Sequence, residues 1–147
     1  MAELNVDTQA VVGVLNEILE TELAGVVRYT HYSLMVFGYG RIPIVSWMRS
    51  QADESLTHAN EAGELITHLE HHPSLGIGPL LETHQHDIGD IMREALEHEL
   101  LALSAYNKLL TLVEGKSVFL EEYARRLISQ EEMHLGKVRK MLKKPGK

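Results

Sequence analysis

The sequence predicts an all-α protein, a bundle of four long helices arranged as two antiparallel hairpins joined by one long crossover. Four long segments each repeat apolar residues at the helical period. The four prolines, at 43, 73, 79 and 145, fall at the edges of those segments rather than inside them. Residues 73–86 carry no helical pattern and exceed the two to eight residues usual between hairpin helices, so they read as a crossover running the length of a bundle. The composition agrees, with 44% hydrophobic but only 5% aromatic residues, which suits an aliphatic core. At 147 residues the chain is long enough for one domain with a sizeable core, and residues 1–147 are assigned to one domain.

Asp7-Thr8 is an N-cap signal, and a helix is expected from there to about Phe37. Its inward stripe reads Val11, Leu15, Ile18, Glu22, Val26, Tyr29, Ser33. Gly38-Tyr39-Gly40 ends it, and Pro43 opens the second helix as a first-turn proline. That helix is expected to reach His72, stopped by Pro73, with the stripe Trp47, Gln51, Glu54, His58, Ala62, Leu65, Leu69. Asp87 caps a third helix running to about Val113, with the stripe Met92, Leu96, Glu99, Leu103, Tyr106, Leu110. After the turn Glu114-Gly115-Lys116, Ser117 caps a fourth helix that ends near Leu142. Its face carries Leu120, Ala124, Leu127, Ile128, Glu131, His134, Leu135 and Val138.

Several function classes are disfavoured. There is no cysteine, which removes disulfides and thiolate metal sites and fits a cytoplasmic location. The N-terminal Met-Ala-Glu-Leu-Asn-Val-Asp has neither a basic region nor an apolar run, so no signal peptide is expected. No segment is apolar over a length that crosses a membrane. A net charge of -7 disfavours nucleic acid and favours cations.

Polar residues on the buried stripes carry the chemistry. Glu131 and His134 lie three apart on one helix face, and an unpaired buried carboxylate costs several kcal/mol, roughly, unless a cation offsets it. The halves of the chain repeat this pattern at an offset of 77: Glu22 and Glu99, Tyr29 and Tyr106, Arg49 and Arg126, Glu54 and Glu131. The two glutamates of each half are 32 apart (54 − 22 and 131 − 99). One position departs, because Thr57 stands where the repeat asks for histidine and His58 follows it. Positions i+3 and i+4 share the face of residue i, so His58 still reaches the centre. Four carboxylates and two imidazoles at matching heights suit iron or manganese, and zinc also.

With these residues the chain resembles the ferritin superfamily, and within it the bacterioferritins, over residues 7 to 142. The resemblance implies a ferritin-like bundle and a centre of two irons per subunit held by Glu22, Glu54, His58, Glu99, Glu131 and His134. It further implies that Glu22 and Glu99 are terminal ligands, that Glu54 and Glu131 bridge, and that Tyr29 stands close to the metals. Three features depart from bacterioferritins. The second-helix motif is Glu-x-x-x-His, and alignment on His58 puts Ser55 in the carboxylate position. The haem-ligating Met is replaced by Ser55 or Leu56, which argues against haem. No fifth helix is expected after the fourth, which argues against a 24-subunit cage and leaves a smaller shell or a dimer open.

The expected activity is that of a ferroxidase, an enzyme oxidising Fe(II) with O2 or H2O2, with Glu22, Glu54, Glu99, Glu131 and Tyr29 taking part. Storage or detoxification would follow if a hollow homo-oligomer forms from dimers. The alternatives are a rubrerythrin- or catalase-like di-iron or di-manganese protein that consumes peroxide without storage, and a metal-free bundle with an interaction or stress role. Tyr106 reads as a core hydroxyl bonded to a buried carboxylate, and His31 and His98 read as structural. His68, His71, His72, His84 and His86 flank the crossover and read as a solvated helix end rather than an accessory metal site, although their spacing allows chelation. The basic end, Lys137, Arg139, Lys140, Lys143, Lys144 and Lys147, reads as a solvated helix terminus rather than a DNA contact.

Overall fold

The computed structural model describes residues 5–146; the first four residues, on which part of the signal-peptide argument rests, and Lys147 lie outside it. It contains four helices, α1 (Thr8–Met35), α2 (Arg41–His68), α3 (Ile88–Val113) and α4 (Val118–Leu142). Three starts are fixed by the expected caps. The Asp7 carboxylate accepts from the amide of Ala10, Asp87 from Asp90, and the Ser117 hydroxyl from Leu120, each satisfying a donor that the first turn leaves free. Pro43 sits in the first turn of α2, where its missing N–H costs nothing.

Two ends differ from the sequence expectation. Helix α1 stops at Met35, because Val36 is already extended. Helix α2 stops at His68, four residues before His72, and proline is not what stops it. Glu70 takes a left-handed conformation (φ 63°), and its amide bonds to Thr67 O at 2.9 Å while His71 N bonds to Ile66 O at 3.1 Å. These crossed bonds form a Schellman ending with glutamate in the place usually held by glycine.

The segment between α2 and α3 is strapped along α1. Ser74 N bonds to Asn16 Oδ1 at 2.7 Å and Gly78 N to Glu20 O at 2.9 Å. Arg28 donates from Nε and Nη2 to Pro79 O at 3.0 and 2.8 Å. Near the far end, Phe37 N bonds to His86 O at 3.2 Å. The strap follows α1 from Asn16 to beyond Met35, roughly 30 Å at 1.5 Å per residue. Gly78 permits the approach, since a Cβ there would stand 3.1 Å from Glu20 O. Because the strap returns the chain along α1, α3 enters antiparallel to it. Contacts from Glu17 to Lys108, Glu22 to Tyr106, Tyr29 to Glu99 and Tyr32 to Glu94 run in opposite order on the two helices.

The core divides into two apolar clusters. One holds Leu15, Ile18, Ile66, Leu109, Leu120 and Leu127; the other holds Tyr29, Met48, Ile91, Met92 and Val138. Between them lies a buried polar layer of Glu22, Ser55, His58, His98, Glu99 and Glu131. Among the described residues no helix is long and apolar enough to cross a membrane.

Candidate metal centre

Each helix supplies the polar layer from its inward stripe. Glu22 comes from α1, His58 from α2, Glu99 from α3, and Glu131 with His134 from α4. Single donor atoms of Glu22, His58 and Glu131 all lie within 4.8 Å of one another, and all three residues are buried. His58 Nδ1 is 2.6 Å from Glu22 Oε2, and its Nε2 is 3.1 Å from Gln130 Oε1. Both contacts suit an imidazolium donating from each nitrogen. Tyr106 OH donates to Glu22 Oε2 at 3.2 Å. On the other side Tyr29 OH donates to Glu99 Oε1 at 2.6 Å and lies 3.2 Å from His134 Nε2. His134 Nε2 stands 3.4 Å from Glu99 Oε1, and its ring stacks on Trp47 with an interplanar angle of 7°.

The electrostatics follow from a dry, carboxylate-rich layer. Burial, followed by the charge of Glu99, pushes the Glu131 carboxyl far above the usual range, so it holds a proton. Burial alone would raise Glu99 as well, but hydrogen bonds to His134 and to protonated Glu131 outweigh it and hold Glu99 low. Glu22 is raised by burial, an effect that His58 opposes. Burial disfavours charge on His58, yet Glu22 lifts it above its usual 6.5. Burial keeps the Tyr29 and Tyr106 phenols protonated, and nearby carboxylates reinforce this. Glu131 Oε2 is buried with no hydrogen-bond partner. An orphaned carboxyl oxygen beside two further carboxylates and an imidazole is a donor set that fits a divalent cation.

Glu54 differs from expectation. The repeat put it on the inward face, but its side chain is 49% exposed and its Oε1 is 3.9 Å from His58 Nε2. It stands at the mouth of a small cavity with Gln51 and Gln130, while Ser55, Glu99, Glu131 and His134 also line that cavity. The physical reason is register. Buried residues of α1 and α3 correspond at an offset of 77, as in Leu15 and Met92, Glu22 and Glu99, Tyr29 and Tyr106. Inward residues of α2 and α4 correspond at 76 (131 − 55, 134 − 58, 138 − 62), so Ser55 occupies the place equivalent to Glu131 and His58 that of His134. One residue of slip turns a helix by about 100°, which carries Glu54 to the rim.

Sequence reasoning missed Gln130, which braces His58, and the inward position of His98. His98 is 2% exposed with neither ring nitrogen bonded, and burial lowers it to about 4. An alternation of acidic and neutral residues cannot signal either. Three of the crossover histidines pack against different aromatic partners. His68 packs on Phe119 with centroids 5.2 Å apart, His86 stacks on Phe37 at 3.8 Å, and His84 meets His31 at 5.7 Å. Among the described residues, Glu22, His58 and Glu131 form the one group of three spaced for an ion.

Comparison with known proteins agrees with this architecture. A ferritin-like, diiron-carboxylate protein from Bacillus anthracis superposes with a TM-score of 0.82 at 21% identity, covering 97% of this chain and 100% of its own. A dodecameric thioferritin, the bacterioferritin-related protein of Bacteroides fragilis, gives 0.84 at 20% identity, covering 94% and 87%. Rhodobacter capsulatus bacterioferritin, whose structure has a metal-free dinuclear site and a haem iron, gives 0.80 at 22% identity, covering 92% and 84%. No curated protein matches by sequence. At these identities the likeness speaks for the fold, and the family is shown by the sequence profile of the ferritin-like domain, which matches residues 12–146: the chain belongs to the ferritin-like family.

Proposed function

We propose that this protein is a ferroxidase that takes two ferrous ions per chain as substrate and passes one electron from each to O2 or H2O2. The observation that carries this reading is the convergence of Glu22 and His58 from the first hairpin with Glu131 from the second, all three buried and within 4.8 Å of one another. Glu22, His58 and Glu131 would hold one ion, and Glu99, His134 and Glu131 the other. Iron supplies the redox chemistry when bound. The chain supplies the rest. Glu131 and His58 release protons as cations arrive, and two protons with two electrons convert H2O2 to two waters. Tyr29 keeps Glu99 oriented, and Tyr106 does the same for Glu22. Half-exposed Glu54 sits where it can meet an ion coming from solvent.

The test is an anaerobic ferrous titration of metal-free protein followed by exposure to O2 and, separately, H2O2. Saturation near two irons per chain with rapid oxidation is expected, and Glu131→Ala should abolish it. Saturation near one would reduce the site to Glu22, His58 and Glu131 alone, and no binding would leave a metal-free bundle. Fast reaction with peroxide and no accumulation of ferric mineral would favour a peroxide-consuming protein. For storage, the chain must close into a shell. Exposed apolar side chains on α1 and α2, among them Val27, Leu34, Ile42 and Leu56, support a homo-oligomer. Its mass, read by light scattering, separates a dodecamer like the Bacteroides relative from a dimer.

A further inference from the structure

The polar layer is built twice, once by each half of the repeat, and the halves differ at three positions that change together. Ser55 and Gly25 of the first half correspond to Glu131 and Ala102 of the second, and His98 of the second half corresponds to Thr21 of the first; all six residues are buried. Ser55 is smaller than Glu131, Gly25 is smaller than Ala102, and His98 is larger than Thr21. These three residues also meet in space. A Cβ on Gly25 would stand 2.7 Å from Ser55 Oγ and 3.0 Å from His98 Nε2. The imidazole therefore fills volume that a carboxylate at 55 and a methyl at 25 would take.

Volume alone does not call for histidine. A Leu, Met or Phe would fill the space without burying two polar nitrogens, and His98 leaves both without a partner. Ser55, beside His98, lines the same small cavity as Glu99, Glu131 and His134. Resting on the ferroxidase reading, we propose that His98 is a third imidazole ligand of the centre, supplying the donor that Ser55 lacks. The centre then has three carboxylates (Glu22, Glu99, Glu131) and three imidazoles (His58, His98, His134). An imidazole nitrogen has one lone pair and cannot bridge, so His98 would not replace a bridging carboxylate, and Glu131, which lies by Glu22 and His58 and shares a cavity with Glu99 and His134, would serve both ions. The donor set carries one negative charge fewer than four carboxylates would. It holds ferric ions less tightly and favours their release to a mineral or carrier.

The experiment uses cobalt(II) as the probe, loaded anaerobically to two ions per chain of the full-length protein. Proton NMR then counts the strongly shifted ring N–H resonances, one for each coordinated histidine. Three are expected in the wild type and two in His98→Phe, which keeps the volume. The triple variant Gly25→Ala/Ser55→Glu/His98→Thr, in which each position takes its repeat counterpart, should also show two while still taking up two cobalt ions. Two resonances in the wild type, unchanged in His98→Phe, would overturn the assignment of His98 and leave the dinuclear centre standing. The wild-type count decides the matter even if a variant fails to fold. Failure of the wild type to bind cobalt at all would remove the ferroxidase reading and this inference with it.

Discussion

Tyr29 and Tyr106 stand at equivalent positions of α1 and α3, and each hydroxyl donates to a carboxylate on the opposite helix, at 2.6 and 3.2 Å. The shorter bond holds the more strongly charged partner, because Glu99 remains ionised. Tyr29→Phe should therefore lower the urea unfolding free energy of the metal-free protein by about 1.5–3 kcal/mol, the range for a hydrogen bond to a charged group. Glu131 behaves oppositely. Its folded value is raised above 4.5, so the stability it contributes is complete below that value and declines as pH rises. Glu131→Gln should make the metal-free protein more stable at pH 7 and flatten this decline, while metal binding is lost; thermal melts at pH 5 and 7 check both. Cation affinity should rise with pH through the range, above 6.5, in which His58 gives up its proton. The inward places of Glu22, Glu99, Glu131 and the two tyrosines were legible in the sequence because carboxyl and hydroxyl groups on an apolar stripe stand out. Gln130 and the inward place of His98 were not, since a glutamine on a helix or a histidine beside a glutamate has many bland explanations.

At the scale of the elements, caps and turns read well and registers read poorly. Asp7, Asp87 and Ser117 announce helix starts through chemistry confined to a few residues. The end of α2 depends on Glu70 adopting φ 63°, a conformation that a β-carbon disfavours and that no side-chain pattern advertises. Glu70→Gly should raise stability by about 1 kcal/mol, the usual penalty for a left-handed non-glycine residue, measurable by chemical denaturation. The one-residue slip of α2 relative to α4 is announced by His58 following Thr57, but Glu54 and Ser55 are neighbours and both satisfy a helical stripe drawn through His58, so spacing alone does not choose between them. The strap depends on one side chain for its middle anchor, as Arg28 makes both of its hydrogen bonds to Pro79 O. Arg28→Met should leave the helices intact by circular dichroism and speed proteolytic cleavage between 73 and 86.

For the whole molecule, the ferroxidase reading couples metal to fold. A layer that is destabilised by its own carboxylates in metal-free protein becomes a source of stability when cations bind. Ferrous or cobaltous ion at a hundredfold excess over its dissociation constant should raise the unfolding free energy by about 2.7 kcal/mol, and a chelator should return it. The four-helix architecture and crossover were legible because helical period and proline placement act over long segments. The buried polar layer was legible in its residue types and not in its registers, because an angular error of one residue is small in sequence and large in space. The division of ligands between hairpins has a mechanical outcome. Glu22 and His58 belong to α1–α2, whereas Glu99, Glu131 and His134 belong to α3–α4, with the strap as their covalent tether. Severing that tether between 79 and 86 leaves two fragments that share one set of donors. In such a nicked chain the ions become a clasp, so the fragments should co-elute when loaded with metal and drift apart once it is withdrawn.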